Sequence, residues 1–345
     1  MKNKKYLLPI LIVSSLLALY ILNANAKANI NELKNDDTKQ EIALEIGENT
    51  PLEAILTLPK NNEKPPVVLM IQGSGSSDKD STIYENKPFK DISSDLAKKG
   101  IATLRYDKRY YTYPGQANKL GNDITIQDEV LNDVEYALEL LSKDTRINTD
   151  EIYVLGHSMG AGLTPYLAYK YDNIKGIIAM SGSLRALYEI SYDQNKEVEK
   201  EILNGDYDKE TKDKITEQMK TVESDIITLR EDDLSKIDKT KTLMGLPVRY
   251  QQSMKETAGI NYIDKIDTKI LVLQGKEDFQ VNVENDYNLW LEKLENNKNA
   301  EFRLYDNLNH LMMKSSGKKD LSEYEIKSNV DKSVTDDIAN FILNK

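Results

Sequence analysis

Ser158 stands between two glycines in Gly156-His157-Ser158-Met159-Gly160. The apolar, β-prone run Ile152-Tyr153-Val154-Leu155 precedes it, and a helix-compatible run over 161–170 follows. A Gly-x-Ser-x-Gly pentapeptide between a strand and a helix has the setting of a nucleophile elbow. The glycines let the backbone turn sharply enough for the hydroxyl to stand clear of a sheet. A neutral alcohol is a weak nucleophile and needs a base within hydrogen-bond reach. The chain has 2 histidines. His157 is expected to point away from its neighbour on the turn and to serve structure, which leaves His310, after Asn307-Leu308-Asn309, as the base. An imidazole in that role needs an acid to fix its tautomer and stabilise its charged form. Asp278, in Leu273-Gln274-Gly275-Lys276-Glu277-Asp278, is the candidate, with Glu277 and Asp306 as alternatives.

An acyl-transfer site also needs donors for the oxyanion. The N–H of Met159, the residue after the serine, is one; the other is expected from the loop Gln72-Gly73-Ser74-Gly75-Ser76-Ser77-Asp78. Ser74 is the expected second donor and Gly75 the neighbouring option. A phosphate-cradling reading of this loop fails, because no Gly-Lys-[Ser/Thr] follows and no Gly-x-Gly-x-x-Gly is present.

These residues need a scaffold. Ile42-Ala43-Leu44-Glu45-Ile46 and the alternating run 52–58 predict a hairpin. Pro65-Pro66 halts the chain before Val67-Val68-Leu69-Met70-Ile71, a continuous apolar run suited to a strand buried on both faces. Further strands are predicted at 101–106, 152–155, 176–180, 269–273 and 301–305. Helices are predicted over 127–141 and, from the stripe Val334, Ile338, Phe341 and Ile342, at the C-terminal end. Strands alternating with helices predict an α/β fold with a mostly parallel sheet covered on both faces. Between 184 and 263 no buried-type strand is predicted. Ile215, Met219, Val222, Ile226 and Leu229 instead mark a helix with one apolar seam. This reads as a helical cap inserted into the core. Asp206-x-Asp208-x-Glu210 lacks the glycine and distal glutamate of a calcium loop and reads as a helix start.

The chain has 345 residues, no cysteine and a formal net charge of −11. Cysteine-based nucleophiles, thiolate metal sites and disulfides are excluded. Lys2, Lys4 and Lys5, the apolar stretch 6–22 and Ala24-Asn25-Ala26 have the layout of a cleaved signal peptide, the alternative being an uncleaved membrane anchor. Either places the protein outside the cytoplasm, secreted or anchored through 6–22. Without a cysteine near Ala26, a lipoprotein anchor is excluded. With those lysines set aside the remainder is more acidic still, which argues against nucleic acid and anionic lipid as partners. The expected organisation is a signal or anchor over 1–26, a flexible leader over 27–39, a core of 40–183 and 264–345, and the cap over 184–263.

Several of these stretches together resemble known motifs. Gly73-Ser74-Gly75-Ser76-Ser77-Asp78-Lys79-Asp80, Arg105-Tyr106-Asp107-Lys108-Arg109, the Gly156–Gly160 elbow, the Asp278-Phe279-Gln280-Val281 loop and Leu308-Asn309-His310 resemble α/β-hydrolases of the serine aminopeptidase and dienelactone hydrolase branches. The resemblance runs from about residue 50 onward. It implies an α/β-hydrolase fold, the serine–acid–histidine order found here, a carboxylic ester hydrolase as the activity, and no metal or organic cofactor. It also covers Leu246-Pro247-Val248-Arg249-Tyr250, a segment without an assigned role. Where the family has glycine after Arg-Tyr-Asp-Lys-Arg, this chain has Tyr110-Tyr111-Thr112-Tyr113. These tyrosines either line a substrate pocket or pack against the cap; Tyr110, Tyr111 and Tyr250 are the expected substrate contacts. The substrate is expected to be a small acyl ester. A serine aminopeptidase or acyl-peptide hydrolase, which needs acids at the pocket rim, a related acyl transfer or C–C cleavage, and an inactive binding protein are the competing readings.

Overall fold

A hairpin opens the described part of the chain. β1 (Lys39–Ile46) and β2 (Leu52–Pro59) pair antiparallel, with Lys39 opposite Pro59 and Ile46 opposite Leu52. The computed structural model describes residues 36–344. The expected signal or anchor and most of the expected leader therefore lie outside the described residues. β1 begins at Lys39, inside the range read as leader. The lysine stem is buried while its Nζ meets Glu41 at 3.4 Å and Ser94 Oγ at 2.8 Å, the second a partner far along the chain that composition does not reveal.

β3 (Val67–Ile71) is buried at every position. Its alternation sends Val67, Leu69 and Ile71 into one core and Val68 and Met70 into another. Such two-faced burial requires helices on both sides of the sheet. α1 (Pro88–Lys98) supplies Phe89, Ile92 and Leu96 to the second core. After β4 (Ala102–Tyr106), α2 (Asn132–Ser142) supplies Val134, Ala137, Leu138 and Leu141 to the first. The helix predicted over 127–141 is interrupted: its first turn, Gln127–Leu131, is a π turn that carries Glu129 inward. β5 (Ile152–His157), α3 (Met159–Lys170) and β6 (Ile174–Met180) follow.

The chain then leaves the sheet for a helical segment. α4 (Leu187–Asn204), α5 (Lys209–Glu231) and α6 (Val248–Glu256) pack around their own apolar cluster, in which the seam Ile215, Met219, Val222, Ile226 and Leu229 of α5 is buried. Asp208 caps α5, its carboxylate accepting from Thr211 N at 2.7 Å. Arg185 ties the start of this segment down, donating to Asp286 and Asp193 at 2.7 and 2.8 Å. β7 (Lys269–Gly275), β8 (Ala300–Tyr305) and α7 (Lys332–Leu343) complete the fold, α7 covering the face that α1 covers.

The eight strands run in the order β1-β2-β4-β3-β5-β6-β7-β8. β2 meets β4 antiparallel, and every pairing from β4 to β8 is parallel. The carboxyl ends of β3, β5, β7 and β8 therefore open on one edge, where an open α/β sheet places its ligands. Among the described residues, no helix is long and apolar enough to cross a membrane.

Candidate active site

β5 ends at His157 and α3 begins at Met159, so Ser158 alone makes the turn, at φ 56° and ψ −120°. That backbone conformation is costly for a non-glycine residue and persists only where its surroundings impose it. Here Ser158 N donates to Met180 O at 3.0 Å, and Ala161 N donates to Ser158 O at 3.0 Å. Neither flanking glycine could carry a side chain. A Cβ on Gly156 would lie 2.2 Å from Gly160 O, and one on Gly160 would lie 2.6 Å from Ile71 O.

The loops after β7 and β8 approach so closely that a Cβ on Gly275 would lie 2.2 Å from Leu308 O. Across this junction His310 Nδ1 donates to Asp278 Oδ2 at 2.8 Å, with side chains 5% and 0% exposed. The Asp278 carboxylate also accepts from Gln274 Nε2 at 3.0 Å, Gln280 N at 2.8 Å and Val281 N at 3.0 Å. The two alternative acids pair elsewhere, Glu277 with Lys319 at 2.6 Å and Asp306 with Lys276 at 2.5 Å. Asn309 braces the His310 turn: its Oδ1 accepts from Leu311 N and Met313 N at 3.0 and 3.2 Å, and its Nδ2 donates to Glu323 at 3.1 Å.

His157 lies beside His310, the ring centroids 4.7 Å apart. Its Nε2 lies 2.9 Å from the His310 carbonyl oxygen, an acceptor that fixes Nε2 as the protonated nitrogen. Burial, then the neighbouring His310, push the His157 pKa down to about 3, so the ring is neutral at ordinary pH.

Beneath the 72–78 loop lies a buried ionic layer built from the matched motif residues. Asp80 accepts from Arg105 Nε at 3.0 Å, Arg105 also reaches Glu41 at 3.1 Å, and Lys79 meets Asp107 at 3.2 Å. Asp78 accepts from Thr82 N and Oγ1 at 2.8 and 2.7 Å. The loop itself comes close to the elbow. A Cβ on Gly73 would lie 3.0 Å from Ser158 Cβ and 3.5 Å from its Oγ. Gly73, one of the loop glycines expected to allow a close approach, thus lies against the serine. Met159 N heads α3, where an N–H has no partner within its own helix.

Two small cavities meet at Ser158. One, of about 40 Å³, is lined by Gly73, Ser74, Ser77, Ser81, Gln280 and His310 besides the serine. The other, of about 20 Å³, lies against Met159, Leu163, Arg185, Leu187, Ile190 and Met254. Neither is walled by the three tyrosines expected to contact substrate. Tyr110 lines a separate cavity of about 240 Å³ with Arg109, Asp128 and Tyr136. Tyr111 is half-buried beside Asp78 and Asp107. Tyr250 is buried behind the elbow, its hydroxyl 3.8 Å from Met159 Sδ. The apolar wall of the second cavity comes from Leu163, Leu187, Ile190 and Met254, which only tertiary packing brings together.

The BD-FAE family model matches residues 55–292. Over 288 residues the chain is 32% identical to Esterase EstD of Thermotoga maritima, covering 84% of this chain and 64% of that protein. The chain thus spans under two thirds of that relative's length. Est1E from Butyrivibrio proteoclasticus shares the fold at 20% identity, over 88% of this chain and 98% of that one, with a TM-score of 0.51. A puromycin-hydrolyzing peptidase of Mycobacterium tuberculosis shares it at 14% identity, over 91% and 40%, with a TM-score of 0.55.

Proposed function

We propose, from the premise that this chain belongs to the BD-FAE family of α/β-hydrolases, that it is an exported serine hydrolase cleaving small carboxylic esters. The observation that carries this reading is the 2.8 Å contact of His310 Nδ1 with buried Asp278, in a histidine that shares a cavity with the elbow serine. With Nδ1 donating to the carboxylate, the basic nitrogen is Nε2. Ser158 Oγ attacks the ester carbonyl while His310 takes its proton, and Asp278 stabilises the imidazolium that forms. The N–H groups of Met159 and Ser74 receive the oxyanion. His310 returns the proton to the departing alcohol, and water then releases the acyl group by the same path.

This chemistry assigns the two cavities. The leaving alcohol must lie on the side of the group that protonates it, so it occupies the cavity it shares with His310. The acyl chain takes the other cavity, against Leu163, Leu187, Ile190 and Met254. Arg185 lines that cavity, and its lining among the described residues includes no acid. That disfavours a substrate ammonium there and favours an ester over an aminoacyl amide. The printed name of the Thermotoga relative, an esterase, agrees.

Hydrolysis of p-nitrophenyl acetate and butyrate, set against aminoacyl p-nitroanilides, tests the reading. Ester cleavage is expected, with loss in Ser158→Ala and labelling of Ser158 by a fluorophosphonate. Undiminished cleavage by Ser158→Ala overturns the mechanism. Export through 1–26 is tested by mass spectrometry of the secreted protein, where an intact Met1 rules out cleavage.

A further inference from the structure

Lys108 is a lysine held away from water, 3% exposed at the end of the Arg105-Tyr106-Asp107-Lys108-Arg109 stretch. Its Nζ donates to Gly73 O at 2.9 Å and to Glu129 Oε1 at 2.7 Å. The other carboxylate oxygen of Glu129 accepts from Tyr250 OH at 2.7 Å, and that hydroxyl lies 3.8 Å from Met159 Sδ. Three side chains from distant segments thus join the Gly73 backbone carbonyl to the Met159 side chain, on either side of Ser158. Stability alone is a weak account of the arrangement. Burying a lysine–carboxylate pair has a desolvation penalty of several kcal/mol that its attraction often fails to repay. Glu129 also reaches its partners from a π turn, a deviation that recurs at functional sites.

The contact with Gly73 O has a specific geometric effect. The Gly73 carbonyl and the Ser74 N–H belong to one planar trans peptide and point in opposite directions. An ammonium that holds the carbonyl on one side therefore aims the N–H at the other. Its charge polarises the same peptide and strengthens that donor. Without such a hold, a peptide following glycine is free to rotate.

We propose that Lys108, Glu129 and Tyr250 are positioning residues that fix the orientation of the Gly73–Ser74 peptide, and so preorganise the Ser74 oxyanion donor. Lys108 sets the peptide, Glu129 holds Lys108, and Tyr250 ties Glu129 to the back of the elbow. Through Tyr250, α6 of the inserted segment becomes part of the reaction centre's frame. The proposal rests on Ser158 being the nucleophile.

The test compares Lys108→Met, Glu129→Gln, Tyr250→Phe and the double variant Lys108→Met/Glu129→Gln, which leaves no unpaired buried charge. The readouts are kcat and KM for p-nitrophenyl butyrate, the Ki of an aryl trifluoromethyl ketone whose hemiketal oxygen occupies the oxyanion site, and the melting temperature. Loss of one aligned donor is expected to lower kcat by about 10²-fold with KM within about threefold. The ketone's Ki should rise by the same factor as kcat/KM falls, and the double variant should lose no more than Lys108→Met alone. A folded double variant with kcat and Ki unchanged overturns the proposal. So does a fall in kcat that leaves Ki unmoved, because that loss arises outside the oxyanion site. Activity persisting in Ser158→Ala is the distinct result that removes the underlying reading instead.

Discussion

His157 Nε2 donates to the main-chain oxygen of His310 at 2.9 Å, so the residue preceding the proposed nucleophile holds the backbone of the proposed base. The link predicts a split between two substitutions. His157→Leu leaves a buried carbonyl without its donor, which costs about 1–3 kcal/mol of stability. His157→Gln keeps an N–H near the same place. The leucine variant should lose about tenfold in kcat at unchanged fold, and the glutamine variant should recover most of it. Equal activity in both, read with p-nitrophenyl butyrate, would remove the link from function.

The same residue predicts a pH dependence. The folded-state pKa of His157 is depressed to about 3 from an ordinary value of 6.5. Its contribution to stability is therefore full above the unfolded value and is lost as pH falls through 6.5 toward the folded value. Urea unfolding of wild type and His157→Gln, at neutral pH and at about pH 4.5, isolates the term. The wild type should lose more stability between the two conditions than the variant; parallel losses would contradict the assignment.

Gly73→Ala places a methyl group 3.0 Å from Ser158 Cβ and 3.5 Å from the His157 carbonyl oxygen. The protein should fold, because the crowding is confined to the rim of the site. Its kcat should fall about 10²-fold, since a small misplacement of reacting groups suffices for that loss. Slow fluorophosphonate labelling by a protein with normal circular dichroism is the expected signature.

Asp278→Asn keeps the shape of the acid and removes its charge, which leaves His310 in the wrong tautomer. A loss of about 10³- to 10⁴-fold in kcat is expected. Glu277→Gln and Asp306→Asn, whose partners are the surface lysines Lys319 and Lys276, should stay within about twofold, as exposed pairs contribute little. A larger effect in either would move the acid.

Met254 lies in the apolar cavity at Ser158. Met254→Ala should lengthen that cavity and raise the kcat/KM ratio of hexanoate to acetate esters by about tenfold, the scale at which a few methylenes are discriminated in an apolar pocket. An unchanged ratio would place the acyl chain elsewhere.

Chemistry that depends on short-range sequence was legible in advance. The Gly156–Gly160 turn, the strand before it, and the loops bearing Asp278 and His310 each carry their signal within a few residues, and the structure brings His310 onto Asp278. The pocket was not legible in this way. Leu163 of the core and Met254 of the inserted segment line one cavity although they lie far apart in the chain, and no local pattern encodes such a meeting. Tyr110 and Tyr111 drew attention because they stand where the resembled family has glycine, and Tyr250 because it ends a segment without an assigned role; no local signal placed the Tyr250 hydroxyl against Glu129 and Met159. Glu129 was invisible for a related reason. Read as an ordinary α-helix, 127–141 gives Glu129 no reason to face inward, and the π turn that buries it leaves no trace in apolar spacing.

The strand order places the two halves of the site in regions of unequal cohesion. Ser158 follows β5, buried at every position between β3 and β6, whereas His310 follows β8, the half-exposed strand at the sheet's margin. Amide exchange should therefore be slow across 152–157 and faster across 300–305, since marginal strands open at lower free energy than central ones. Inactivation in mild denaturant should precede the loss of global structure. It would come as a peeling of the histidine arm from a serine still locked in its turn, so that operational lifetime is governed by the weakest hinge of the sheet and not by its centre.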